Sequence, residues 1–222
     1  MNKMIHVCAA ILACMLFAGA QAQTEFTPPA GKGRVIVAVS GSMGAKAYEG
    51  PARKLASFGY DVFLLDGNNM VGDHGVGLKA AIDKAPQSPN ALPGKIGVVG
   101  FSLGGGQVLG YAPQWSDQVA VAVVMYPLTS VYKDIPAVVG RIKVPVLMFA
   151  GEKDTLKNCC LIETARTIAS AAAAINAPFE LITYPNVGHD FVVEGSRYDA
   201  KAATDAWART EAMLKQHLSD TP

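Results

Sequence analysis

The chain has 222 residues, of which 50% are apolar and 17% charged, with a formal net charge of +1. That length and composition fit one globular domain with a sizeable core and exclude a disordered chain. The near-neutral balance leaves no footprint for a nucleic acid and no polybasic patch for a membrane surface.

The N-terminus opens with Lys3, continues through an almost wholly apolar run to Ala20, and reaches Ala20-Gln21-Ala22. This is the layout of a secretory signal peptide over 1–22, leaving 23–222 as the folded domain. The apolar run is short for a membrane span and no stop-transfer pattern follows it. An exported protein is expected, periplasmic or secreted, with no stable membrane anchor in the mature chain. Cleavage would remove Cys8, Cys14 and His6, leaving Cys159 and Cys160 as the only thiols. No C-x-x-C and no Cys/His spacing suits zinc, so neither metal nor cofactor is expected.

Continuous apolar, β-branched runs predict strands at 35–39, 61–65, 96–99, 119–125, 144–150 and 179–184. Such runs suit strands buried on both faces of a parallel sheet. Amphipathic stretches between them predict helices at 47–58, 75–84, 103–111, 161–175 and 199–218. The alternation reads as an α/β fold: a single doubly wound, mostly parallel sheet with helices on both faces. The connection from Pro127 to Lys143 has room for a short helix or a loop but not for a lid domain.

Gly100-Phe101-Ser102-Leu103-Gly104 follows the strand at 96–99 and precedes a helix. That setting turns a common G-x-S-x-G pattern into a candidate nucleophile elbow, with small residues two before and two after Ser102. A serine hydroxyl needs a base. His217 sits late in the last helix and His74 in the loop after the second strand. His189 follows the last strand and projects from the same sheet edge as Ser102. The orienting carboxylate is assigned to Asp154, after the strand at 144–150, which gives the chain order Ser102, Asp154, His189. Glu152 and Asp190 compete for that role. The oxyanion donors are expected from the N–H of Leu103 and from that of Ser42, with Met43 the alternative to Ser42.

Met43, Phe101, Tyr126 and Phe191 are candidate apolar walls of a small pocket, though each also suits an ordinary core position. The absence of a lid then points to short acyl esters or small lactones. Cys159 and Cys160 can form a vicinal disulfide in an oxidising compartment. Adjacent Cα atoms lie only ~3.8 Å apart, below the usual disulfide range of about 4.4–6.8 Å. The alternative is two small residues packing the start of the helix at 161–175.

Three stretches carry a family resemblance: Gly100-Phe101-Ser102-Leu103-Gly104-Gly105, the run Pro145 to Asp154, and Tyr184-Pro185 through His189-Asp190-Phe191. With them the chain resembles the dienelactone hydrolase family of α/β-hydrolases from about Arg34 to Leu218. The resemblance implies a carboxylic ester hydrolase acting on a small-molecule ester or lactone. The chain departs from the founding enzymes in carrying Ser102 where they carry a cysteine nucleophile. Gly41 stands where their first-strand loop has an acid, and Arg141 and Arg197 are no clear match for their substrate arginines. The elbow is also similar to that of acyl-protein thioesterases. Two readings from other classes compete. An NAD(P)-dependent reductase is suggested by the first glycine loop and Asp66, but the loop lacks G-x-G-x-x-G. A non-catalytic binding module on the same fold would not need all three triad residue types.

Overall fold

The computed structural model describes residues 23–219; the leader read at 1–22 lies outside the described residues. Seven strands form one sheet: β1 (Thr24–Phe26), β2 (Gly33–Val39), β3 (Asp61–Leu65), β4 (Ala91–Phe101), β5 (Val119–Met125), β6 (Val146–Gly151) and β7 (Phe179–Tyr184). Their spatial order is β1-β3-β2-β4-β5-β6-β7. β1 lies antiparallel on β3, and all other pairs are parallel. Among the described residues the α-helices are α1 (Glu49–Ser57), α2 (Val76–Lys84), α3 (Leu103–Tyr111), α4 (Ile135–Val139), α5 (Ile162–Ala174) and α6 (Ala200–Leu218).

Successive residues of β2 explain why the strands lack polar alternation. Val35, Val37 and Val39 enter a core with Leu78 and Ile82 of α2, Val108 of α3 and Ile168 of α5. Ile36 and Ala38 point to the other face, onto Leu55 of α1 and Leu214 of α6. Both faces are covered, so both registers must be apolar. The order of connections reverses between β2 and β4, and the crevice at such a switch point is where open α/β sheets hold their working groups.

The structure departs from the expected elements most at three strands, and β2 and α1 also begin two residues away from their expected starts, at Gly33 and Glu49. β1 is an additional edge strand of three residues, too short to leave a periodic signal. β4 begins at Ala91, five residues before the expected start, because Ala91 and Leu92 pair with Gly33 and Arg34 of β2 ahead of a register shift that spans Pro93 and Gly94. β6 begins at Val146, since Pro145 has no N–H for the ladder. The 127–143 connection holds only the single short helix α4, capped by the Asp134 carboxylate on the Ala137 N–H at 2.9 Å.

Candidate active site

β4 runs straight into Ser102, whose φ of 49° and ψ of −114° lie outside the regions open to most L-residues. Backbone hydrogen bonds hold it there. The Ser102 N–H donates to Met125 at 3.0 Å, and the Ser102 carbonyl accepts from Leu128 at 2.8 Å and Gly106 at 3.0 Å. The flanking glycines are steric necessities. A Cβ on Gly104 would lie 2.4 Å from the Val39 carbonyl oxygen, and one on Gly100 would lie 2.6 Å from that of Gly104.

His189 approaches Ser102 from the loop after β7. Its Nε2 stands 2.8 Å from Ser102 Oγ, and its Nδ1 stands 2.6 Å from Asp154 Oδ2. All three side chains are buried. The second Asp154 oxygen accepts the Leu156 N–H at 3.2 Å, which fixes the carboxylate plane. The Lys153 N–H donates to the Val187 carbonyl at 2.9 Å, so the loop carrying the acid and the loop carrying the histidine are tied together. Gly151 makes that approach possible, because a Cβ there would sit 2.4 Å from Val187 O. The Tyr126 ring meets the imidazole edge-on at 4.8 Å between centroids. Its hydroxyl is buried without a hydrogen-bond partner among the described residues, and burial pushes its pKa well above the usual phenol range.

The competing carboxylates are engaged elsewhere. Glu152 accepts from Arg166 at 2.7 Å and from the Thr183 hydroxyl at 2.9 Å. Asp190 is paired with Arg197 at 3.0 Å and accepts from the Tyr48 hydroxyl at 3.3 Å. Its Oδ1 also lies 3.8 Å from His189 Nε2, the ring nitrogen that Asp154 does not touch. The Tyr48–Asp190–Arg197 cluster was not visible in the sequence, since Tyr48 and Asp190 are 142 positions apart.

Leu103 opens α3, where the first N–H groups have no intrahelical acceptor, and so aims a donor and a helix dipole at the elbow. The loop after β2 lies against the serine: a Cβ on Gly41 would be 3.0 Å from Ser102 Cβ and 2.2 Å from the Tyr48 hydroxyl. Three contacts hold this loop. The Ser40 carbonyl accepts the Gly104 N–H at 3.1 Å, Asn68 donates to the Ser42 carbonyl at 3.3 Å, and Asp66 accepts the Ala45 N–H at 3.3 Å. Asp66, the residue that imitated a ribose ligand, is thus a loop strut.

The expected pocket walls need correction. Phe101, Tyr126 and Phe191 are fully buried core residues beneath the site, and Met43 is 51% exposed. An aromatic at a strand end packs inward when both faces of the sheet are covered. The cavity beside the elbow, about 360 Å³, is instead lined by residues including Leu103, Met70, Leu128, Val131, Tyr132 and Arg141. His74 also borders it. A second hollow of about 320 Å³ borders His189 on the side of Lys153 and Arg197. The expectation that no Cys/His set exists is also revised. The fold brings the Cys159 and Cys160 sulfurs and a ring nitrogen of His189 within 4.8 Å of one another, and it pairs the two sulfurs as a vicinal disulfide.

Residues 67–218 match the family model of the Dienelactone hydrolase family. The chain belongs to the dienelactone hydrolase family. A carboxymethylenebutenolidase of Rhodococcus opacus is 27% identical over 215 residues, covering 85% of this chain and 83% of that protein. Protein usf of Aquifex pyrophilus is 31% identical over 144 residues, or 64% of this chain, and the match spans 59% of the relative's length. Among solved structures, a dienelactone hydrolase-like promiscuous phosphotriesterase from metagenomic libraries superposes with a TM-score of 0.71 at 18% identity, covering 90% of this chain and 99% of that one. A butyrate-bound thermophilic esterase of Thermogutta terrifontis superposes with a TM-score of 0.64 at 18% identity, covering 87% and 88%. These superpositions establish the dienelactone hydrolase fold of the chain. No helix among the described residues is long and apolar enough to cross a membrane.

Proposed function

We propose that this dienelactone hydrolase family member is an exported serine hydrolase that cleaves small carboxylic esters or lactones through an acyl-enzyme. The observation that carries the reading is the buried, hydrogen-bonded line from Asp154 through His189 to Ser102. Asp154 holds the proton on Nδ1, which leaves Nε2 free to take the Ser102 proton as Oγ attacks the ester carbonyl. The tetrahedral oxyanion is met by the N–H groups of Leu103 and Ser42. His189 returns the proton to the leaving alcohol, then activates the water that releases the acyl group.

The substrate class is supported by the family and by the carboxymethylenebutenolidase among its relatives, whose name denotes action on a cyclic ester. The cavity beside Leu103 gives the acyl or alcohol portion a partly apolar berth with two cations, Lys133 and Arg141, at its wall. A fluorophosphonate probe should label the wild-type protein at Ser102 and leave Ser102→Ala unlabelled. Equal labelling of both would defeat the proposal. The leader pattern at 1–22 supports export. N-terminal sequencing of protein recovered from outside the cytoplasm should then begin at Gln23; a start at Met1 would count against it.

A further inference from the structure

We propose that Cys159 and Cys160, once reduced, form with His189 a binding site for one thiophilic divalent metal ion, and that oxidation to the vicinal disulfide closes it. The three donors come from two loops, after β6 and after β7, and lie within 4.8 Å of one another. A zinc-class ion binds sulfur at about 2.3 Å and imidazole nitrogen at about 2.0–2.1 Å, so shifts of about an ångström bring all three donors onto one ion. Two thiolates and an imidazole are the soft and borderline set that such ions prefer.

The surroundings favour a fixed site over a chance pair of thiols. Cys160 is buried and Cys159 half-buried. The Cys159 carbonyl accepts from the Thr129 N–H at 3.0 Å and the Ser130 N–H at 2.9 Å, which pins the backbone between the two sulfurs to a neighbouring loop. Thr129 itself is buried and its hydroxyl has no hydrogen-bond partner among the described residues. Asp154 already holds Nδ1, leaving Nε2 to bind the ion. A carboxylate on the far nitrogen of a ligating histidine orients the ring and raises its donor strength. Nε2 is also the atom that faces Ser102 Oγ, so a bound ion takes the base away from the serine.

The chemistry balances. Two equivalents of a thiol reductant convert the disulfide to two thiols and are themselves oxidised to one disulfide. The ion then displaces two protons from the thiols to solvent and binds a neutral imidazole. In the disulfide the sulfurs are bonded to each other and offer no thiolate.

The test uses cadmium as the probe on protein comprising residues 23–222, which lacks Cys8 and Cys14, reduced and desalted without air, and follows thiolate-to-cadmium charge-transfer absorption. Reduced wild type should saturate at one ion per chain, and oxidised wild type should give no band. Cys159→Ser/Cys160→Ser should lose the band. His189→Gln should keep it with at least tenfold weaker binding. Ser102→Ala should bind as wild type does. The absence of a saturable band, its survival in the double cysteine variant, or unchanged affinity in His189→Gln would each overturn the site. Only the expected loss of ester hydrolysis, at least tenfold in saturating cadmium, rests on the proposed hydrolase function. If that function is wrong, the band still forms while no form of the protein hydrolyses ester.

Discussion

Replacing Asp154 by Asn tests the site at its most sensitive atom. One carboxylate oxygen faces His189 Nδ1 at 2.6 Å, and the other accepts the Leu156 N–H at 3.2 Å. An amide has only one acceptor oxygen. If that oxygen stays with Leu156, the NH₂ group faces Nδ1, which must then accept and lose its proton. The ring proton moves to Nε2, which can no longer accept from Ser102. The alternative flip keeps the tautomer but sets NH₂ against the Leu156 N–H in a buried place, at a cost of about 1–3 kcal/mol for the unsatisfied donors. The backbone donor therefore favours the wrong tautomer. By analogy with other triads the cost is about 10⁴ in kcat, or about 5 kcal/mol of transition-state stabilisation. Initial rates with p-nitrophenyl acetate give kcat and KM, with Glu152→Gln as the control. Glu152 serves Arg166 and Thr183, so its variant should stay within about threefold of wild type. An Asp154→Asn enzyme within tenfold of wild type would refute the reasoning.

Gly104→Ala should destabilise the protein by about 1–3 kcal/mol or more in urea unfolding, because its Cβ meets two backbone carbonyls rather than a side chain that can move; an unchanged midpoint contradicts this. Tyr48→Phe should cost about 1.5–3 kcal/mol by leaving the buried Asp190 carboxylate short of a donor, and much less in an Asp190→Asn background. Equal costs in both backgrounds would break the link. Burial, with Glu25 nearby, pushes the Asp61 carboxyl up to about 6. The folded chain then holds more protons than the unfolded one between about pH 4 and 6, so stability falls as pH rises through that window. Asp61→Asn should flatten this slope, and an unaltered slope in denaturant titrations would exclude the assignment. The absence of a lid leads us to expect higher kcat/KM for acetyl and butyryl than for palmitoyl aryl esters; an optimum at palmitoyl contradicts the small-substrate reading.

The sequence was most informative where geometry is imposed locally. The limits of β3, β5 and α3 could be read because apolar or glycine-bounded runs have few alternatives in a sheet covered on both faces, and those of β7, a half-buried edge strand carrying Glu180, because Phe179, Ile182, Thr183 and Tyr184 favour extended backbone. Ser102 was legible through its two flanking glycines, and His189 through elimination and its place after the last strand. The pocket was misplaced for a physical reason. Phe101, Tyr126 and Phe191 adjoin the site in sequence but all pack into the core, Phe101 from the last position of β4 and the other two from the segments after β5 and β7, while Leu128 and Val131 reach the cavity through a long connection without periodicity. The bond between Tyr48 and Asp190 and the approach of His189 to Cys159 and Cys160 were hidden because both depend on loops from separate strands meeting in space.

The bond from the Gly104 N–H to the Ser40 carbonyl joins the helix after β4 to the loop after β2, the two segments that lie against Ser102. Main-chain atoms make this bond, so it restrains relative motion of the two segments without relying on a side chain, provided that position 104 stays glycine. The opposite bank of the cavity is different in kind. It presents side chains: Val71 and Val131 are 65% and 56% exposed. Variation there can redraw the outline of the accepted molecule while the reactive centre keeps its dimensions. A protein divided in this way can acquire new substrates by changing one bank, without rebuilding the other.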